Sequence, residues 1–355
     1  MAKKKTVSLG IIGLGMIGTK HLQDFNGITD TQVLAIAEKQ EHTLKQVGAE
    51  MRIPYTYHNY HDLLALNEIE AVVVCVPPYL QEEITLAALR AGKHVLCEKP
   101  VAVSSRSAQK ITRAAKKAGT VFASCSSRFR FSPTVRKARE MIKGGELGDI
   151  YHVTLTGISR RYRPCIEYQT NSTWGLDKSK AGGGALMDGG MYDLDILFGL
   201  IPDLQVDRVE GYCFKGVDNK QPEGLPFNVE EHGMAALRGK NGILVFWERA
   251  WAAHMTSRPR IRIYGSEAGI AFDPLALTQD MFFEIYEDRS GKPVTIAPDM
   301  HYERWNIHRS VCSDFIDAIR KGNPPKTRGE EMAKYLKIIE AVYRSHAKNA
   351  SVKLK

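Results

Sequence analysis

Short, continuously apolar runs alternate with amphipathic helical patterns over the first third of the chain. Val7–Ile12, Val33–Ala37, Ala71–Val76, His94–Cys97 and Val121–Cys125 read as buried strands. Helical periodicity follows the first run through His21 to Phe25. It recurs over Gln81–Ala91 and Ser104–Ala118, with Gly92 and Gly119 as stops. Strands without polar alternation, separated by helices, predict a parallel sheet covered on both faces.

Beyond Arg130-Phe131-Ser132-Pro133 the pattern changes. A helix over Thr134–Lys143 precedes strands of alternating character at Tyr151–Ser159, Arg208–Val217, Glu231–Leu237, Ile243–Trp251, Arg260–Tyr264 and Phe282–Glu287. Such alternation predicts a large, mostly antiparallel open sheet with one face free for packing. On this reading Val245 and Trp247 lie on the free face. A long polar stretch, Arg160–Lys180, and a helix opening after Gly182-Gly183-Gly184 interrupt the first two strands. A loop of that length inside a compact domain is usually functional. Helical patterns over Trp305–Arg320 and Gly329–Ala347 close the chain, which carries no internal repeat.

With 355 residues the chain suits two domains, here 1–126 and 127–355, the last helices being able to pack back on the first. Hydrophobic content of 43% and charged content of 25% are those of a soluble globular protein. No segment approaches the roughly 20 apolar residues that cross a bilayer. The basic start, Met1-Ala2-Lys3-Lys4-Lys5-Thr6, leads into a strand broken by glycine rather than a secretory apolar run, so a cytoplasmic location is expected. Six cysteines, scattered and without a Cys-x-x-Cys pair, fit buried reduced thiols better than a zinc site. The net charge of +9 is dispersed and carries no nucleic-acid recognition signature, so neither nucleic acid nor membrane is an expected partner.

Chemistry concentrates in a few motifs. Gly13-Leu14-Gly15-Met16-Ile17-Gly18 stands between a strand and a helix, the context in which Gly-x-Gly-x-x-Gly holds a dinucleotide. Gly13 permits the tight turn, Gly15 lets the backbone approach a pyrophosphate, and Gly18 lets helix and strand pack closely. Met16 and Ile17 open a helix whose amides and dipole favour an anion. Glu38 ends the second strand about 20 residues beyond Gly18, where a carboxylate receives the adenosine ribose hydroxyls and repels a 2′-phosphate. NAD is therefore expected over NADP, although Lys39 is a neighbouring cation able to tolerate the phosphate. Pro77-Pro78 closes the third apolar strand, and Cys97-Glu98-Lys99-Pro100 follows the fourth. A lysine placed there can stand beside the nicotinamide and partner a substrate oxygen.

Together with Gly182-Gly183-Gly184-Ala185-Leu186-Met187-Asp188-Gly189-Gly190-Met191-Tyr192, these motifs resemble the glucose–fructose oxidoreductase/inositol dehydrogenase (Gfo/Idh/MocA) family from about Val7 to about Asn349. The resemblance implies a Rossmann domain followed by an α/β domain whose open sheet commonly packs against another subunit, hence a homo-oligomer, dimer or tetramer. It implies NAD(P)-dependent oxidation or reduction of a secondary alcohol on a sugar, cyclitol or glycoside. Lys99 matches the family's catalytic lysine and Asp188 its aspartate, whereas Tyr192 stands where many members have histidine. That departure is similar to the branch of glucose–fructose oxidoreductase and dihydrodiol dehydrogenase, and it moves the acid/base role to tyrosine.

Alcohol oxidation needs a group that removes the hydroxyl proton. A phenol ionises near 10, too high for an efficient base at neutral pH, and a nearby Lys99 ammonium would favour the phenolate. The alternative for Tyr192 is an aromatic packing its helix on the sheet; for Lys99, an exposed loop lysine. Asp188 and Asp195 share a helix face with Tyr192 and are candidates for substrate hydroxyls, Asp195 equally for an interface partner. Arg128 and Arg130 are candidates for substrate or cofactor contact, with salt bridging as the alternative. Trp174 beside Arg161 suits a sugar ring or an anionic substituent. His308 and Arg304, one turn apart, are candidate pocket residues or structural ones. No His, Asp or Glu group shows metal-ligand spacing in the sequence. Two other function classes fit the motifs: a glycosidase that oxidises transiently with retained NAD, and a silent nucleotide-binding regulator, against which Lys99 and Tyr192 both argue.

Overall fold

The apolar runs at the start of the chain form a six-stranded, all-parallel sheet. The computed structural model describes residues 6–170, 172–217, 223–255, 260–274, 281–300 and 306–354. Strands β1 (Val7–Ile12), β2 (Thr31–Ala37), β3 (Tyr55–Tyr57), β4 (Ala71–Val74), β5 (His94–Cys97) and β6 (Phe122–Ser124) lie in the order β3-β2-β1-β4-β5-β6. Helices α1 (Met16–Asn26), α2 (Glu41–Glu50), α3 (Tyr60–Leu64), α4 (Pro78–Arg90) and α5 (Ser105–Ala118) connect them. Every residue of β4 is buried, because a central parallel strand is covered on both faces. The Ser104 hydroxyl accepts the Ser107 N–H at 3.2 Å to start α5, and Gly119, at φ 67°, ends it in the left-handed region. Strand order reverses between β1 and β4, the switch point at which such sheets bind ligands beyond their carboxyl ends.

After α6 (Pro133–Lys143) the chain builds a nine-stranded sheet from β7 (Ile150–Ile158), β8 (Val206–Phe214), β9 (His232–Gly239), β10 (Leu244–Ala250), β11 (Ile261–Gly265), β12 (Ala268–Phe272), β13 (Phe283–Arg289), β14 (Lys292–Ile296) and the terminal β15 (Val352–Lys353). Only the β7–β10 pair is parallel; the other seven pairings are antiparallel. Helices α7 (Lys178–Ala181), α8 (Ala185–Asp188) and α9 (Gly190–Leu200) lie in sequence between β7 and β8.

The free face of this sheet is not the one read from the sequence. Val245 and Trp247 are 0% and 1% exposed, whereas Phe246 between them is 49% exposed. Trp247 faces inward, where its indole Nε1–H donates to Asp193 of α9 at 2.9 Å. Alternate residues point to opposite faces, so burying Val245 and Trp247 leaves Phe246 on the other side. The open face instead carries Tyr212, Phe214, Met234, Phe246, Tyr264 and Tyr286, all exposed.

Two further helices follow β14: α10 (Ile307–Lys321) and α11 (Met332–Lys348). The molecule divides into one compact unit of Met1–Arg128 with Asn306–Lys334 and another of Phe129–Trp305 with Tyr335–Lys355. In the first, α10 packs along α1, and the Ser124 N–H at the edge strand β6 donates to the Thr327 carbonyl at 2.8 Å. Among the described residues no helix is long and apolar enough to cross a membrane.

Candidate active site

In the first unit the glycine-rich turn follows β1, and each glycine has a distinct steric reason. Gly13 adopts φ +89°, and a Cβ on it would lie 2.5 Å from the Cys75 carbonyl oxygen. A Cβ on Gly18 would lie 2.0 Å from the Gly13 oxygen. Gly15 differs: a Cβ there meets nothing within 4 Å. Its lack of a side chain leaves the backbone bare toward open space, which is what a closely approaching pyrophosphate requires. No side chain caps the start of α1, so the helix dipole there favours an anion. Glu38, half-buried, accepts the Leu14 N–H at 2.8 Å and the Gln40 N–H at 2.9 Å, which fixes the carboxylate against the turn; Lys39 is exposed. Pro77 is the N-cap of α4, and its neighbour Pro78 starts that helix. These residues fit a dinucleotide.

Lys99, half-buried, follows β5 and precedes a cis Lys99–Pro100 bond. Beside it Glu98 is buried and bonded to His21 and Arg128. Arg128 is thus engaged inside the first unit, and its Nη1 lies 3.3 Å from both ring nitrogens of His308. Burial and then the Arg128 charge push the His308 imidazole down to about 3, so it is neutral. Arg304 lies outside the described residues. All six cysteines are free and five are buried.

In the second unit the Gly-Gly-Gly segment is dictated by a buried carboxylate that sequence reading missed. Glu230 accepts the Gly184 N–H at 2.9 Å, the Leu186 N–H at 3.0 Å and the Tyr343 hydroxyl at 2.9 Å. A Cβ on Gly184 would lie 1.9 Å from the Glu230 carbonyl oxygen, and one on Gly183 2.0 Å from the Tyr343 hydroxyl. Burial raises the Glu230 carboxyl above its ordinary value. This clamp places α8 and α9, which carry Asp188 and Tyr192, both half-buried. Asp188 accepts the Trp251 indole N–H at 3.0 Å, and Tyr192 meets Phe129 edge-on, with ring centroids 5.1 Å apart.

The other expected residues are held as follows. Arg130 donates to both oxygens of Asp195, at 2.8 and 2.9 Å, and to the Tyr335 hydroxyl at 3.1 Å, so these two form a buried ion pair with each other. Arg161 is exposed and 3.6 Å from Glu167, while Arg163 is the buried arginine of that loop, bound to Glu167 and Glu231. Trp174 is half-buried. Unforeseen in the sequence, Arg249 donates to Asp193 at 2.9 Å and to the Gly189 carbonyl at 3.0 Å, fixing the α8–α9 junction one turn before Tyr192. For Glu230 the available signal was the doublet Glu230-Glu231, two acids immediately before β9.

A model of the oxidoreductase family's NAD-binding Rossmann fold matches residues 7–125, and one of its C-terminal α/β domain matches residues 139–354. The chain belongs to the Gfo/Idh/MocA oxidoreductase family. It is a dehydrogenase acting on CH–OH donors, and its cofactor is NAD. This Gfo/Idh/MocA chain is 25% identical to myo-inositol 2-dehydrogenase of Thermotoga maritima over 98% of both chains. It is 25% identical to D-glucoside 3-dehydrogenase of Escherichia coli over 98% of this chain and 97% of that one. In fold it matches levoglucosan dehydrogenase in complex with NADH and levoglucosan, with a TM-score of 0.85, 21% identity and coverage of 99% and 100%.

The Glu38 placement makes a prediction for cofactor choice. NAD should support turnover better than NADP, and Glu38→Ser should narrow that gap by removing the charge facing a 2′-phosphate. Steady-state rates with both nucleotides check it; a wild-type preference for NADP would hand the site to Lys39.

Proposed function

We propose that the protein transfers hydride between NAD and a ring secondary alcohol of a sugar, cyclitol or glycoside, with Lys99 and Tyr192 carrying the proton chemistry. The observation behind this reading is that the glycine turn, Lys99 at the end of β5 and Tyr192 at the start of α9 are each held by dedicated local structure. Whole-length relatives named for inositol and glucoside oxidation support the substrate class. NAD, when bound, supplies the hydride acceptor. Tyr192, as phenolate, takes the alcohol proton; Lys99, as ammonium, partners the substrate oxygen. Asp188, which accepts the Trp251 indole N–H, is the group assigned to a substrate hydroxyl in this reading. A panel of cyclitols, free sugars and glycosides, followed by absorbance of NADH, tests the proposal. Net NADH with one of them supports it; release of an aglycone without net NADH would favour transient oxidation in its place.

We further propose a homo-oligomer joined through the open face of the nine-stranded sheet. Six large apolar side chains on that face exceed what a monomer ordinarily leaves in water. Light scattering at micromolar concentration should give a dimer or tetramer, and Phe246→Glu should dissociate it; a wild-type monomer would defeat the proposal.

A further inference from the structure

Four segments of the first unit converge on one buried carboxylate. Glu98 is 5% exposed. One oxygen lies 2.9 Å from His21 Nε2 on α1 and 3.0 Å from Arg128 Nη2 after β6. The other lies 3.1 Å from the same Arg128 nitrogen and accepts the Lys99 backbone N–H at 3.0 Å. The network extends through Arg128 to His308 on α10, and through His21 Nδ1 to the Cys312 thiol at 3.4 Å. One ligand atom each from His21, Glu98 and His308 falls within 4.8 Å of the others. The guanidinium of Arg128 already contacts the carboxylate and the imidazole in this group, and supplies its positive charge.

A buried ion pair is an uneconomical way to gain stability, since desolvation cancels most of the attraction. What this one adds is definition at Lys99. The hydrogen bond from the Lys99 amide fixes the backbone from which the lysine side chain projects. Burial alone would raise the Glu98 carboxyl, but Arg128, His21 and the Lys99 charge together hold it well below the usual carboxylate range. The attraction is mutual: a Glu98 carboxylate favours the Lys99 ammonium as much as the ammonium favours the carboxylate. Arg128 acts on Lys99 with the opposite sign. The thiols of Cys75, Cys125 and Cys312 also face the cluster, and burial raises all three, so they remain uncharged.

We propose that His21, Glu98 and Arg128 are positioning residues for Lys99, pinning its backbone and setting the charge balance at its side chain. This rests on the reading of Lys99 as a catalytic group. The test is competitive labelling of the full chain with acetic anhydride across pH, with Lys99 acetylation followed by peptide mass spectrometry. Glu98→Gln removes an anion and should lower the Lys99 midpoint by about one pH unit, whereas Arg128→Met removes a cation and should raise it. General loosening of the fold would move both variants the same way. Midpoints that stay at the wild-type value, or that shift in a common direction, would overturn the proposal. If Glu98→Gln does not fold, the sign in Arg128→Met decides; if neither folds, the network is a folding element and the proposal fails. Lys99→Met, assayed for NAD reduction beside them, separates the two readings. Wild-type turnover in that variant would remove the catalytic role of Lys99 whatever the labelling shows.

Discussion

Tyr192→Phe should lower turnover by roughly 10²–10⁴-fold while leaving NAD affinity near wild type. The substitution isolates the hydroxyl, because a phenyl ring keeps the edge-on contact with Phe129. Lys99→Met should be comparably damaging. If phenol and ammonium act as one unit, the double variant should cost far less than the product of the two single losses. Oxidation by the wild type should speed up as pH rises and the phenolate forms, and Tyr192→Phe should lack that limb. Initial rates of NADH formation against pH, with NAD binding followed by fluorescence, supply the measurements. Near-normal activity in Tyr192→Phe would make it a packing residue and leave Lys99, or Asp188 alone, as the base.

Asp195→Ala should destabilise the protein by about 3–5 kcal/mol, the usual consequence of leaving a buried charge without its partner. The Asp195 side chain is 0% exposed and that of Arg130 only 11%. The Tyr335 hydroxyl, 3.4 Å from the same carboxylate, would also lose a partner. Urea unfolding reads the effect, while KM for the sugar or cyclitol in the folded enzyme should stay within a few-fold of wild type. An unchanged unfolding midpoint with a tenfold higher KM would instead return Asp195 to the substrate site.

The contrast between Asp195 and the glycine turn shows where sequence is readable. The turn is a local device: three glycines, a strand before and a helix after, all within about one βαβ unit. The parallel sheet was legible for the same reason, since continuous burial leaves a continuous apolar run. Asp195, by contrast, takes its role from Arg130 and Tyr335, far away along the chain. His21, Glu98, Arg128 and His308 meet although they are scattered through the sequence, so no spacing rule exposes them. The free sheet face was misread because alternation gives two parities, and packing between elements distant along the chain, which buries Val245 and Trp247, chooses between them. Strand β12 (Ala-Gly-Ile-Ala-Phe) lacks polar alternation, and β14 is largely exposed, so neither left a strand signal.

The return of residues 306–334 to the first unit has a consequence for synthesis. On the ribosome the nucleotide-binding half emerges first, yet its edge strand β6 lacks the partner that Thr327 provides, and α1 lacks α10, until most of the chain has been made. N-terminal domains ordinarily fold first as they leave the exit tunnel. Here the second unit can be fully translated, apart from its terminal segment, before the first is complete. Nascent chains should therefore hold β6 as an unpaired edge for much of elongation, the period in which such edges recruit other chains. A messenger truncated after codon 128 would yield a nucleotide-binding half with that edge permanently bare.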